Sequence, residues 1–274
     1  NYSIPIINAD SRQIFSEIPI GTAAPTAEQQ RRVKHFFVGN HSITDYYSAS
    51  LYEEDVLQLL DTLFSQSDIA MMCGGSMMYI DAVCNGIDDI PTVDDDTREL
   101  MKRRLAEEGL PALVEELRTI DPEHWAIVDR NNPRRVVHAL EICHSTGKTY
   151  SSFRTNTRKK RPFNIIKIGL TRQRELLYDR INKRVEQMMD DGLLEEARKV
   201  CRLRGLNALN TVGYKELFEH FDGLTTLDEA VFKIQSNSRR YCRKQITWFK
   251  RDDTLAWFEP ENIKEIIKYI ENNR

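Results

Sequence analysis

The sequence has no C-x-x-C pair, and its six histidines show no ligand spacing with cysteines or carboxylates, so no structural zinc is expected. Cysteines stand at 73, 84, 143, 201 and 242; the odd count and scattered positions predict reduced thiols in a cytoplasmic protein. No uninterrupted apolar run approaches the ~20 residues of a membrane span, so no membrane partner is expected. The opening NYSIPII lacks the basic region of a signal peptide. No internal repeat or low-complexity tract is present, and no long exposed apolar seam is evident, which makes a monomer the expected state. An excess of positive charge is missing too. The net charge is −3 and the pI about 6.1, which argues against a globally basic nucleic-acid coat and leaves room for a local basic groove.

What is present suffices for a sizeable core, with 41% hydrophobic residues in a chain of 274. Short apolar runs at Ile4–Ile7, His35–Val38, Ile69–Cys73 and Ile165–Leu170 read as buried strands. Helical patterns lie between and after the first three, at Glu53–Phe64 and Met77–Cys84, which predicts an α/β domain with a parallel sheet flanked by helices. After Gly86 the character changes to charged, amphipathic helix. Thr97 or Asp96 is the expected cap of its first helix, and Pro133 opens and Gly147 closes a later one over Asn132–Ser145. Residues 91–160 therefore read as a helical insertion, leaving 1–90 and 161–274 as the α/β core with C-terminal helices. The polar stretch FRTNTRKKRPFN reads as a loop, and further helices are expected at Arg172–Met189, Leu193–Arg202, Val212–Phe221, Leu227 to about Phe249, and Asn262–Glu271.

Five segments carry possible chemistry. In IPIINADSRQIF, Asp10 follows a strand by two residues, at the carboxyl-end mouth where parallel sheets hold ligands; there a carboxylate can accept a proton. Ser11 and Gln13 add polar contacts, and a plain helix cap is the competing reading. In MCGGSMMY, Gly74 and Gly75 turn and Ser76 opens a helix, an arrangement that suits a phosphate and more often merely joins a strand to a helix. In SRRYCRKQITWFKR, six cations stand among Tyr241, Trp248 and Phe249, a mixture that fits RNA and equally fits a solvated face over packed aromatics. In RINKRVEQMMDDGLLEE, Arg180 and Arg184 share one helical face and suit a diphosphate, with salt bridging to Glu186 or Asp190 as the competitor. In NTVGYKE, Gly213 and Tyr214 begin a helix after a loop.

Taken together, in order, INADSRQIF, IGTAAPT, DYYSAS, CGGSMMYI, NNPRRVVHALE, RINKRVEQMMDDGLLEE, NTVGYKE and SRRYCRKQITWFK span almost the whole chain, which resembles the tRNA dimethylallyltransferases, or tRNA isopentenyltransferases. The resemblance implies a P-loop-NTPase-like α/β fold. It also implies transfer of a dimethylallyl group from dimethylallyl diphosphate to N6 of the adenosine beside the tRNA anticodon, with Mg²⁺. Asp10 then matches the catalytic base and Arg184 the arginine that engages the diphosphate, with Arg180 beside it. Thr22, Gly74, Gly75 and Ser76 match the substrate pocket. Ser11, Arg12 and Gln13 match the segment that touches tRNA. So do Asn210, Thr211, Val212, Gly213, Tyr214 and Lys215, and Arg239, Arg243, Lys244, Gln245, Thr247, Trp248 and Lys250. The insertion, with Arg135, would grip the anticodon arm.

The chain departs from that pattern at Asn132, where Asp is usual, and at His138 and Asn210, where Arg is common. Nothing in its 274 residues fits the family's phosphate loop G-x-x-x-x-G-K-[ST], and the chain is expected to begin at the family's second strand. Two other readings stand beside the enzyme. One is a catalytically silent tRNA-binding paralogue. The other is a small-molecule nucleotide kinase, which leaves the insertion and the Arg239–Arg251 cluster unexplained.

Overall fold

A computed structural model describes residues 4–155 and 157–274. They fall into two compact units, Asn1–Cys84 with Arg161–Arg274, and Asn85–Lys160. In the first unit β1 (Ile6–Asn8) pairs in parallel with β2 (His35–Phe36) on one side and β3 (Met71–Cys73) on the other. Ile6 stands opposite both His35 and Met71. The strands are shorter than the apolar runs that mark them, for local reasons. Pro5 has no N–H to give a ladder, so β1 begins after it. Phe37 takes a φ of +61°, which ends β2 two residues into the expected run. A further parallel pair joins β4 (Ile168–Leu170) to β5 (Ala256–Phe258). β5 has no counterpart among the expected strands, because three residues are too few to show a period.

The helices of this unit are α1 (Ala27–Arg32), α2 (Ala49–Phe64), α3 (Met77–Asn85), α8 (Arg174–Asp190), α9 (Leu193–Val200), α10 (Tyr214–Phe221), α11 (Leu227–Phe249) and α12 (Ile263–Asn272). The short α1 has no apolar period to mark it and is set instead by a capping box of Thr26 and Gln29. α11 starts on the same device, Thr226 with Glu229. Two clusters form the core. Ile7, Ala9, Tyr52, Val56, Tyr79 and Val83 pack β1 against α2 and α3. Ile14, Phe15 and Ile18, just beyond β1, pack against Leu193, Ala197, Tyr214, Leu217 and Ile234 of the C-terminal helices. The segment between Asn8 and Ile18 is thereby held from both sides. Arg161 ties the end of α3 down, donating to the Ala82 and Val83 carbonyls and to the Glu53 carboxylate; this ion pair is almost fully buried.

The second unit is four helices, α4 (Asp95–Glu107), α5 (Gly109–Ile120), α6 (Pro122–Ile127) and α7 (Pro133–Thr146), around Met101, Leu113, Leu117, Val136, Ala139 and Leu140. The cap of α4 is Asp94, neither Asp96 nor Thr97. Asp94 accepts from the Thr97 amide and hydroxyl at 2.8 Å, and the helix begins two residues earlier than its apolar period suggests. Asn132 caps α7 with Pro133 in the first turn, and Gly147 stops it at φ +68°, as expected from the sequence.

Candidate active site

The site begins where β1 ends. Asp10 turns back on its own chain, and its Oδ1 accepts the amides of Arg12 at 2.8 Å and Gln13 at 3.3 Å. That fixes one carboxylate oxygen; no hydrogen bond reaches Oδ2 among the described residues. The competing sequence reading of a helix cap does not hold, because no helix follows Asp10. Burial pushes the Asp10 carboxyl up, and the Arg12 and Gln13 amides and the Arg12 charge only partly oppose it.

The glycine turn after β3 closes on this loop. The Ser76 amide donates to the Ala9 carbonyl at 3.1 Å, and the Ser76 hydroxyl accepts the Ser11 amide at 2.8 Å and meets the Ser11 hydroxyl at 3.1 Å. A Cβ at Gly74 would lie 2.4 Å from the Ala9 carbonyl carbon and oxygen, so only glycine lets the two backbones approach. Below the loop Tyr52 donates to the Asn8 carbonyl at 2.9 Å and stacks on Tyr79 at 4.1 Å.

α11 crosses this mouth with a stripe of side chains one turn apart. Asn237 donates to Glu216 at 2.7 Å, Gln245 to the Gly75 carbonyl at 2.7 Å, and Trp248 to Asp81 at 3.0 Å. Tyr241 lies in the same stripe, and after burial the charge of Asp10 is the main influence pushing its hydroxyl up. A second face grips α8: Arg239 donates to Asn182, and Arg243 to the Tyr178 hydroxyl at 3.0 Å. The third face leaves Lys244, Thr247 and Lys250 exposed. Trp248 is half-buried, with its indole N–H held by Asp81.

The Gly-Thr turn sits against the other flank. Gln13 Nε2 donates to the Thr22 and Ala23 carbonyls at 3.0 Å, and the Thr22 hydroxyl donates to the Ile18 carbonyl at 2.8 Å. Asp10, Ser11, Arg12, Gln13, Thr22, Gly74, Gly75, Ser76, Tyr241 and Gln245 thus form one connected constellation. Arg180 and Arg184 are exposed on α8, one turn apart, and make no hydrogen bond or ion pair among the described residues. No hydrogen bond or ion pair joins them to Asp10. Asn210 is half-buried, the Thr211 hydroxyl is spent on the Ala208 carbonyl at 2.8 Å, Val212 packs on the core and Lys215 is exposed. Tyr214 is 0% exposed, with its hydroxyl on Glu196 at 2.6 Å, so its side chain is a core clamp and not a surface contact for RNA. Arg135 is exposed at the start of α7 in the second unit.

Sequence reasoning assigns no role to Tyr178, Asn182, Asp81 or Glu196. The first two repeat at i, i+4 on α8, a signal masked by the charged residues around them. Among the described residues no three His, Cys, Asp or Glu side chains converge, so the chain offers no protein-only cage for a metal there. No helix among them is long and apolar enough to cross a membrane, and all five cysteines are free.

Comparison with known proteins shows the family. The IPP transferase family model matches residues 13–252. The chain is 61% identical to tRNA dimethylallyltransferase 1 of Phocaeicola vulgatus over 98% of this chain and 90% of that protein. It is 59% identical to the corresponding protein of Bacteroides fragilis, again over 98% and 90%. Among solved structures, the tRNA isopentenylpyrophosphate transferase of Bacillus halodurans is 33% identical, with a TM-score of 0.69 over 98% of this chain and 88% of that one. A eukaryotic dimethylallyltransferase acting on tRNA shares the fold with a TM-score of 0.79 at 19% identity, over 99% of this chain and 74% of that one.

Proposed function

This chain belongs to the IPP transferase family, and on that premise we propose that it transfers a dimethylallyl group from dimethylallyl diphosphate to N6 of the adenosine next to the tRNA anticodon. The observation that carries the reading is Asp10. It is a carboxylate held at the mouth of a parallel sheet, with one oxygen pinned by two amides and its proton affinity raised by burial.

An adenine amine is a weak nucleophile, and the reaction must manage three things: the amine proton, the charge on the leaving diphosphate, and competing water. As the N6–carbon bond forms, the allylic C–O bond breaks. The diphosphate leaves with the bonding electrons, and Asp10 takes one N6 proton through its unpinned oxygen. A carboxyl with raised affinity for protons is better matched to that task than an ordinary aspartate. Thr22, Gly74, Gly75 and Ser76 line the substrate pocket. Arg180 and Arg184, cations with no partner among the described residues, engage the diphosphate and stabilise its developing charge. Mg²⁺ commonly reaches a protein through substrate phosphates and would supply charge neutralisation there; among the described residues no cluster of side chains forms a cage for it.

On the tRNA, Ser11, Arg12 and Gln13 meet the target nucleotide, which must leave its stack to reach Asp10. The exposed face of α11 with Lys244, Thr247 and Lys250, together with Asn210, Lys215 and the cations Arg239 and Arg243, holds the phosphate backbone. The insertion with Arg135 holds the anticodon arm. A monomer in the cytoplasm, where tRNA is available and thiols stay reduced, fits this reading.

The test is a product assay. The full-length protein is incubated with unmodified tRNA, dimethylallyl diphosphate and Mg²⁺, and the digested RNA is read by mass spectrometry. Dimethylallyl-adenosine mapping beside the anticodon is the expected result. tRNA binding without product would favour a silent tRNA-binding protein.

A further inference from the structure

Glu196 lies on α9, is 7% exposed, and makes no ion pair among the described residues. A carboxylate buried without a cation is costly unless donors converge on it. Here three do. Oε1 accepts the Gly21 amide at 2.8 Å and the Tyr214 hydroxyl at 2.6 Å, and Oε2 accepts the Ile20 amide at 2.8 Å. Burial, the Glu196 charge and this hydrogen bond all push the Tyr214 hydroxyl up, so it stays a donor.

The turn whose amides donate two of these bonds is strained. Ala23 takes a φ of +51°, a left-handed conformation that a residue with a Cβ resists. Gly21 cannot be replaced without collision, since a Cβ there would lie 2.4 Å from the Tyr214 hydroxyl. The amide side of the turn is held by Glu196 and its carbonyl side by Gln13, through Thr22 and Ala23. The Gln13 amide in turn donates to Asp10 Oδ1. Hydrogen bonds, joined through the turn and through Gln13 itself (side chain to the turn, backbone N–H to Asp10), thus link α9 to the carboxylate at the sheet mouth.

We propose that Glu196, with Tyr214, is a positioning residue of the transfer reaction: it fixes the Pro19–Ala24 turn in the strained form that presents Thr22 to the substrate and seats Gln13 behind Asp10. This rests on the reading that Thr22 and Asp10 serve prenyl transfer. A core position that needed only packing would be filled more cheaply by an apolar residue; the convergence of two backbone amides from one functional turn gives this carboxylate its purpose.

The test uses Glu196→Gln, which keeps size and shape but turns an amide donor toward groups that are themselves donors. Single-turnover transfer, KM for dimethylallyl diphosphate and tRNA Kd are measured below each variant's melting temperature. Hydrogen exchange of peptides covering residues 8–16 and 18–24 is followed in parallel. A misplaced pocket wall should cost about 10²-fold in the transfer rate. KM for the diphosphate should rise and tRNA Kd stay near wild type. Exchange should quicken in both peptides. Wild-type rate and KM with only a lower melting temperature would overturn the proposal, as would faster exchange confined to 18–24. Should Glu196→Gln not fold, Tyr214→Phe decides by the same readouts, with a smaller loss expected and an unchanged rate and exchange counting against the proposal. Exchange needs no turnover, so a wild-type protein that makes no product would sink the functional reading while the clamp is still judged on its own.

Discussion

Asp10 is held where its charge is disfavoured, and that gives it two opposed effects. Its folded-state affinity for a proton lies above the ordinary value of about 3.9 because burial outweighs the Arg12 and Gln13 amides. A raised carboxyl contributes stability that is full below the unfolded value and lost as pH rises through the folded one. At neutral pH the ionised Asp10 therefore weakens the fold. Asp10→Asn, which keeps an oxygen for the two amides, is expected to melt higher than wild type at pH 7, with the advantage gone below the unfolded pKa. A melting-temperature series against pH checks this, and a variant that melts lower at pH 7 would mean the carboxylate is stabilised by a partner. The position of Asp10 at a strand mouth was legible from the run IPIINAD alone. The origin of its raised proton affinity was not, because Tyr79 and Tyr241 approach it from distant parts of the chain.

At the scale of elements, the two glycines after β3 look alike in sequence and differ in space. A Cβ at Gly74 meets Ala9 backbone at 2.4 Å, whereas one at Gly75 meets the end of a flexible side chain, Gln245 Nε2, at 2.2 Å. Gly74→Ala is expected to force β1 and the turn apart, costing about 1–3 kcal/mol of stability and most of the activity. Gly75→Ala should displace only Gln245, losing a hydrogen bond worth about 0.5–1.5 kcal/mol. Chemical denaturation of the pair, with transfer rates, separates them; equal effects would contradict the geometry. α11 shows what periodicity does and does not disclose. Its limits, Leu227 to Phe249, follow from capping and pattern. Its division into a stripe over the sheet mouth, a face on α8 and an open face does not. The cations Arg239 and Arg243 belong to the second face only because Asn182 and Tyr178 stand opposite. β5 stayed hidden because its three residues, Ala256–Phe258, are too few to show a period.

For the whole molecule, a net charge of −3 has to coexist with a polyanionic partner, so RNA affinity must come from local cations. Replacing Arg243 and Lys244 with Ala is expected to weaken tRNA binding and to flatten the dependence of log K on log salt by about 0.7–0.9 for each phosphate left without its cation. Binding titrations from low to moderate salt give the slope directly, and an unchanged slope would mean that this part of α11 meets only solvent. Family kinship and parallel α/β architecture were both legible in the order of eight short segments. The clamp role of Tyr214 was not, since the segment NTVGYKE does not say which of its side chains turns inward.

The most direct test of the central claim is the single-turnover transfer rate of wild-type and Asp10→Asn protein with saturating dimethylallyl diphosphate and tRNA, followed against pH. The wild-type rate is expected to climb with pH along an acid limb lying above the ordinary aspartate range. Asp10→Asn is expected to lose about 10²–10⁴-fold, with tRNA affinity kept and the limb abolished. A substituted enzyme with near wild-type rate and the same limb would contradict the central claim, and would move the proton-accepting role to another group.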